Sequence, residues 1–316
     1  MLSVVVPVYN EQENLLPLCK ELSETLLGLV GGYEVIFVDD GSSDRSPEIL
    51  AALAQHDPDV KVIRFRRNFG QTAAMMAGIE HASGEVIVVL DADGQNDPAD
   101  IPRLLDELAR GVDVVSGWRR DRRDSRRRVW LSRLANALIS RITGVHLHDY
   151  GCSLKAYRRE VIESVRLYGE MHRFIPIYVS WHGARVAEIP VNHRPRAHGS
   201  SNYGVERIAK VILDLMVVHF LGRYETRPMY VFGGFGLVSW GLSLASAAWA
   251  FYRKFADGTS FIQTPLPLLS VMAFITGVLS MLMGLLAELL VRTYYESQSK
   301  RPYAIAQLRN FPQKDA

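Results

Sequence analysis

Cysteine is scarce in this chain: Cys19 and Cys152 are the only two among 316 residues. That excludes a disulfide framework and a cysteine-bound zinc site, and both thiols are expected to be unpaired packing residues on the reducing side of a membrane. His193 and His198 have no cysteine or carboxylate at the spacing a dedicated zinc site needs. A surplus of one charge is also missing, since 36 Lys and Arg offset 34 Asp and Glu for a net +2. No nucleic-acid partner is therefore expected, although residues 117–133 hold eight arginines. No secretory leader is expected either, because Met1-Leu2 runs almost at once into a strand-like segment.

The apolar content that is present has a pattern. Val86-Ile87-Val88-Val89-Leu90 is a largely β-branched run suited to a strand covered on both faces, and it leads straight into Asp91-Ala92-Asp93-Gly94-Gln95. Alternate residues of an extended chain point the same way, so Asp91 and Asp93 are expected to converge at the strand's carboxyl end, where open α/β sheets bind ligands. Two hard oxygen donors with the amide of Gln95 suit Mg²⁺ or Mn²⁺ carrying a diphosphate. The same strand-then-polar pattern occurs in Val35-Ile36-Phe37-Val38 before Asp39-Asp40-Gly41-Ser42. It occurs again in Ser3-Val4-Val5-Val6-Pro7-Val8 before Tyr9-Asn10-Glu11. Helices are predicted over 13–27 and 47–55. The alternation predicts an α/β domain with a mainly parallel sheet.

Residues up to about Asn202 have the composition of one soluble domain, long enough to bury a full core. Uncharged runs follow at 229–251 and 267–287, each able to cross a ~30 Å hydrocarbon layer at ~1.5 Å per helical residue. Ahead of them, Val205, Ile208, Val211, Ile212, Leu215, Val218 and Leu221 recur at helical spacing opposite Glu206, Arg207, Lys210 and Asp214. That pattern predicts a helix lying in the membrane interface. The connector between the runs carries only Arg253 and Lys254 as basic residues, whereas Arg223, Arg227, Arg292, Lys300 and Arg301 flank the pair. The positive-inside rule then assigns both ends to the cytoplasm. Gly233, Gly234, Gly236 and Gly241 suit helix packing within one chain or between chains, so a homo-oligomer stays open. The expected organisation is a catalytic domain over 1–203, an interface helix over 204–227, a two-helix membrane segment over 228–292 and a cytoplasmic tail over 293–316.

Val4-Val5-Val6-Pro7-Val8-Tyr9-Asn10-Glu11, Val38-Asp39-Asp40-Gly41-Ser42 and Leu90-Asp91-Ala92-Asp93-Gly94-Gln95 resemble the nucleotide-sugar domain of family 2 glycosyltransferases. The whole chain is similar to the polyisoprenyl-phosphate members, such as dolichol-phosphate mannose synthase, bactoprenol glucosyltransferases and undecaprenyl-phosphate aminoarabinose transferase. The resemblance implies a GT-A-type fold and inverting transfer of a sugar from a nucleotide sugar to polyprenyl phosphate. It also implies a multi-pass protein of the bacterial inner membrane with its catalytic domain in the cytoplasm. UDP-glucose is the favoured donor, with a UDP-aminoarabinose derivative or GDP-mannose as alternatives.

By the same resemblance, Pro7, Tyr9, Glu11, Val38, Asp40 and Ala92 hold the donor together with Asp91, Asp93 and Gln95. Arg119, just past Val114-Val115-Ser116-Gly117-Trp118, is implied as a ligand of the donor diphosphate or the lipid phosphate. His148-Asp149-Tyr150-Gly151-Cys152-Ser153-Leu154-Lys155 resembles the acceptor loop, in which Asp149 is the catalytic base acting with Asp93. Lys155 and Arg133 are implied to meet the acceptor phosphate. Arg194-Pro195-Arg196-Ala197-His198-Gly199-Ser200-Ser201-Asn202-Tyr203 resembles the family's basic loop, with Arg196 toward the donor and Arg194 toward the acceptor. Asn202 stands where a lysine is usual.

Asp149 has a second reading. A phosphomonoester loses its second proton with a pKa of about 6, so the acceptor is mostly ionised at neutral pH and needs little deprotonation. The acid then serves to orient the attacking oxygen, or to hold Lys155 and arginines in place. Two rival functions are disfavoured. A processive polysaccharide synthase needs a Gln-x-x-Arg-Trp motif, which none of the eight glutamines begins. A non-catalytic scaffold for a flippase or partner transferase has no use for the paired acids, and both are present.

Overall fold

The computed structural model describes residues 1–29, 31–120, 136, 139–141, 143–163, 171–195, 229–297 and 303–311. The valine-rich segments are strands: Leu2–Val8 (β1), Tyr33–Asp39 (β2), Val60–Phe65 (β3) and Val86–Val89 (β4). They pair in parallel in the order β4-β1-β2-β3. Helices Leu15–Leu26 (α1), Ser46–His56 (α2) and Gln71–His81 (α3) return the chain between them, within two residues of the helices predicted over 13–27 and 47–55. Parallel strands covered on both faces need apolar side chains on both, and Val4, Val5, Val6, Ile36, Phe37 and Val38 are fully buried. Leu15, Leu18, Cys19, Leu22 and Leu26 of α1 recur at helical spacing and all face the core. Each such leucine contributes about 1.5–3 kcal/mol of burial free energy.

Helix Ile101–Ala109 (α4) precedes strand Val114–Trp118 (β5), and strand Lys155–Arg158 (β6) follows. Short helices Arg159–Ile162 (α5) and Ile175–Trp181 (α6) lead to strand Val186–Pro190 (β7). The strand order across the sheet is β7-β5-β6-β4-β1-β2-β3-β8, where β8 is Ile305–Arg309. Strand β6 inserts antiparallel between β4 and β5, with Lys155 beside both Val89 and Ser116. An antiparallel strand starts where its neighbours end. The loop 148–154 therefore sits at the carboxyl edge of β4 and β5, the edge that carries Asp91 and Arg119.

The chain folds as two compact units, Met1–Leu215 with Arg301–Ala316, and Met216–Lys300. The segment expected as a tail over 293–316 contains regular structure. The last helix runs on to Ser297, and Ile305–Arg309 pairs antiparallel with β3 as an edge strand of the catalytic sheet. Asn310 closes that strand, donating from Nδ2 to the carbonyls of Ala54 at 2.6 Å and Val60 at 2.8 Å. The interface helix expected over 204–227 lies outside the described residues, as do Arg133, Arg196 and Asn202.

The second unit holds Met229–Ala256 (α7) and Leu266–Ser297 (α8). Both are long and apolar enough to cross a membrane. They pack antiparallel, with Ser280 Oγ donating to the Phe232 carbonyl at 2.7 Å, and Ser243 Oγ to the Ser270 carbonyl at 2.8 Å. A Cβ on Gly236 would stand 3.0 Å from the Gly277 carbonyl, so Gly236 serves packing within one chain. Gly234 and Gly241 have nothing within 4 Å. Leu237, Val238, Leu244, Trp249 and Phe255 are exposed. A core helix of a soluble protein would bury such side chains; lipid contact explains them.

Candidate active site

The carboxyl ends of β1 and β2 are stitched together by backbone-to-side-chain bonds. Asn10 turns the chain with φ 56°, its N–H donates to Ser42 Oγ at 2.9 Å, and its own Oδ1 accepts from the Ser43 N–H at 2.8 Å. Glu11 N–H donates to Ser46 Oγ at 3.1 Å. Tyr9 is exposed, and Pro7 and Glu11 are half-buried. These three stand at an open edge where a nucleoside can reach them. A cavity of about 160 Å³ opens beside Asp39, lined also by Glu48, Arg64, Gln307 and Arg309.

Val38 and Asp40 lie at the carboxyl end of β2, where both are buried. Val38 is fully buried, with a methyl against Gly78 of α3, so its side chain packs the core. Asp40 is also buried and accepts from the N–H groups of Phe69 at 2.7 Å and Gly70 at 2.9 Å. Burial raises its pKa, and the charge of Asp39 adds to the rise. Its carboxylate thus holds the β3–α3 loop. Gly41 makes that approach possible: its φ is +69°, and a Cβ there would stand 2.4 Å from the Arg67 carbonyl carbon.

Asp91 and Asp93 follow β4 directly, and the charge of Asp93 acts on Asp91. Asp91 Oδ1 accepts from Gln71 Nε2 at 2.6 Å, while the nearby Ser153 hydroxyl donates to Asn96 Oδ1 at 2.7 Å. Its pKa is pushed up to about 6, first by desolvation and then by the neighbouring Asp93 charge, against the pull of Arg119 and Lys155. Asp91 keeps partial solvent access, so a site that is low in water rather than sealed accounts for that shift. Asp93 is 8% exposed and accepts from the Gln95 N–H at 3.1 Å. Ala92 between them is buried. Among the described residues no three His, Cys, Asp or Glu side chains gather around one point. Two carboxylates that repel one another, with the remaining positions left to water and phosphate oxygens, are still a donor set that fits Mg²⁺ or Mn²⁺.

The acceptor-loop residues meet the same edge. Arg119 donates from Nε to Asp149 Oδ2 at 2.7 Å and from Nη2 to Asp149 Oδ1 at 2.9 Å. The Gly151 N–H adds a bond to Oδ1 at 3.1 Å. Glu188 on β7 supports the loop from behind, accepting from the N–H groups of His148 and Asp149, both at 2.9 Å. Nothing local in the sequence marks Glu188, and its role became visible only through the β5–β7 pairing. Lys155 is buried, donates to the Tyr150 carbonyl at 3.2 Å, and has its pKa lowered to about 8, chiefly by desolvation. Cys152 beside it is an unpaired thiol whose pKa burial raises to about 11, and Cys19 is likewise free and buried.

Arg194 is engaged in two ion pairs. Its Nη1 donates to Glu21 at 2.7 Å and its Nη2 to Asp97 at 2.8 Å, so the guanidinium ties the loop after β7 to α1 instead of joining Arg119 and Lys155. Its N–H, however, donates to the Gln95 carbonyl at 2.9 Å and so braces the metal loop.

The model of glycosyl transferase family 2 matches residues 3–166. A dodecaprenyl-phosphate galacturonate synthase from Rhizobium johnstonii is 41% identical over 315 residues, covering 97% of this chain and 92% of that protein. The chain belongs to glycosyl transferase family 2. An undecaprenyl-phosphate 4-deoxy-4-formamido-L-arabinose transferase from Pseudomonas aeruginosa is 39% identical over 96% of this glycosyltransferase and 89% of its own length. Among solved structures, glucosyl-3-phosphoglycerate synthase from Mycobacterium tuberculosis, in complex with Mn²⁺, UDP and glucosyl-3-phosphoglycerate, superimposes with TM-score 0.55 at 19% identity. That match covers 71% of this chain and 79% of the other and establishes a shared GT-A-like fold. The sequence relatives carry galacturonate or formamido-arabinose in their names, so the expectation of glucose gains no support from them.

Proposed function

We propose that this glycosyltransferase moves a sugar, with inversion, from a nucleoside diphosphate to the phosphate of a polyprenyl phosphate at the cytoplasmic face of a bacterial inner membrane. The observation that carries the reading is the meeting of two charge groups at one sheet edge. Asp91 feels the charges of Asp93, Arg119 and Lys155, and the last two reach that edge from the end of β5 and from the antiparallel β6. Acids suit a metal-bound diphosphate, and cations suit a second phosphate.

Asp91 and Asp93, with Gln95, would hold Mg²⁺ or Mn²⁺, which supplies positive charge to the leaving diphosphate when bound. The Mn²⁺ and UDP in the M. tuberculosis synthase support this choice of ligands for a fold of this kind. Asp149 fixes the plane of Arg119 and keeps the guanidinium beside the acids. Lys155, still protonated at neutral pH, adds a cation below the same edge. An acceptor phosphate drawn there is already ionised, so orientation and not proton removal is the main contribution of these residues. We assign Asp149 to orientation on that ground.

The names of the relatives favour a uronic acid or a formamidopentose as the sugar, and we take UDP as the donor nucleotide. The cytoplasmic orientation rests on the basic flanks and on the return of the chain to its own sheet as β8, which requires an even number of crossings. The test is mass spectrometry of the lipid fraction after membranes bearing the protein receive a panel of nucleotide sugars. A polyprenyl phosphate carrying a uronic acid or formamidopentose is the expected product. Loading with glucose alone would overturn the sugar assignment, and failure of every donor would overturn the transfer itself.

A further inference from the structure

We infer that the strand following the membrane helices is a positioning element of the donor site, with Tyr303 and Gln71 at the two ends of the coupling; the inference rests on the metal reading of Asp91 above. Strand β8 pairs with β3, and the ladder is extended by the Arg66 N–H donating to the Ala304 carbonyl at 3.1 Å. Just before it, the Tyr303 ring stacks on Phe65 at 5.0 Å and an interplanar angle of 17°. Phe65 in turn meets Phe69 edge-on at 5.7 Å. Phe69 and Gly70 are the residues whose N–H groups Asp40 holds. The next residue, Gln71, opens α3 and donates to Asp91 at 2.6 Å. Tyr303 also reaches the far end of that helix, where its hydroxyl donates to Glu80 at 2.6 Å.

One aromatic side chain therefore pins both the loop that precedes α3 and the last turn of α3. The helix carries its first residue, Gln71, against the acid. The amide takes Oδ1 of Asp91 and so restricts the rotation of a carboxylate that the metal reading makes a ligand. Partners that orient a metal-ligating carboxylate in this way are worth about 10–100-fold in metal affinity. Tyr303 acts through Gln71, so it is a positioning residue that touches neither donor nor metal.

The experiment uses the full-length protein in nanodiscs with UDP, and reads Mn²⁺ binding by electron paramagnetic resonance and amide exchange of the 66–71 loop. Gln71→Leu is expected to weaken Mn²⁺ binding about tenfold while leaving the Phe69 and Gly70 amides protected. Tyr303→Ala is expected to weaken Mn²⁺ and to speed exchange of those amides, and Tyr303→Phe, which keeps the ring stack, to do so less. Adding Tyr303→Ala to Gln71→Leu is expected to cause no further loss, since both act through one contact. Losses that multiply, or Tyr303 variants that bind Mn²⁺ as the unaltered protein does, would overturn the inference. Should Tyr303→Ala not fold, the Tyr303→Phe series with and without Gln71→Leu decides by the same criterion. An unaltered protein that binds no Mn²⁺ would overturn the metal reading itself, a result distinct from the others.

Discussion

Arg119 grips Asp149 at two points, 2.7 and 2.9 Å, with side chains only 13% and 4% exposed. A pair so deeply buried holds direction as well as charge, because both groups have lost most of their water and depend on one another. Asp149→Asn keeps the shape, removes the charge and puts an N–H₂ where Arg119 needs an acceptor. Transfer is expected to fall at least about 100-fold, with nucleotide binding retained. Because the acid orients and does not take a proton, the acidic limb of the pH–rate profile should survive in the variant. Loss of that limb in Asp149→Asn would return Asp149 to the role of base.

Asp91 gives a pH dependence whose sign can be worked out. Its pKa of about 6 lies above the ordinary carboxylate value, so between about pH 4 and that pKa the folded chain binds more protons than the unfolded one. In metal-free protein this group's contribution to stability therefore falls as pH rises through that window. A divalent cation replaces the proton and removes the repulsion from Asp93. Stabilisation by Mn²⁺, read as a shift in Tm against an EDTA control, is expected to be small at pH 5 and to grow to a plateau above about pH 7. A shift independent of pH would mean that the cation binds elsewhere. Asp93→Ala should abolish both the shift and transfer.

Much of this edge was legible in the sequence because its signals are local. Strands β1, β2 and β4 are short β-branched runs, and Asp91 and Asp93 follow one of them directly. The acceptor loop announces itself by motif. The remainder depends on contacts that no window can see. The sequence does not show that Asp40 also accepts from the N–H groups of Phe69 and Gly70, 29 and 30 residues on. Nor does it show that Arg194 pairs with Glu21, 173 residues earlier. Ile305–Arg309 is a five-residue strand whose partner β3 lies some 240 positions away on the other side of two apolar helices. Gln71 carries no local signal of its own, and the turn held by Asp40 brings it to Asp91.

Lys155 separates function from stability. Its folded pKa of about 8 lies below the unburied value of 10.5, so the unfolded chain binds more protons between those values and the protein gains stability as pH rises across them. At pH 7 the full cost of the buried charge is present. Lys155→Met removes that cost while filling similar space. It is expected to leave Tm unchanged or raised at pH 7 and to reduce transfer about tenfold or more through the acceptor KM. A variant that loses Tm and activity together would make the lysine a structural group only.

The return of the chain as β8 changes how the membrane helices should be removed. Cutting after Tyr224 deletes the spans but also Tyr303, β8 and Asn310, and so bares the β3 edge and frees the 66–71 loop. That protein is expected to lose thermal stability and to aggregate through the exposed strand edge. Replacing residues 225–300 by a flexible Gly/Ser linker keeps β8 and should restore Tm to near that of the full-length chain. The linker version is then the proper test of the spans. It is expected to transfer well to a short, water-soluble prenyl phosphate, which diffuses to the site, and poorly to a long one held in a bilayer, because the local concentration of that acceptor is lost. Equal loss on both acceptors, with Tm preserved, would mean that the helices shape the catalytic edge itself. Equal activity of linker and full-length versions on the long lipid would leave the helices as an anchor only.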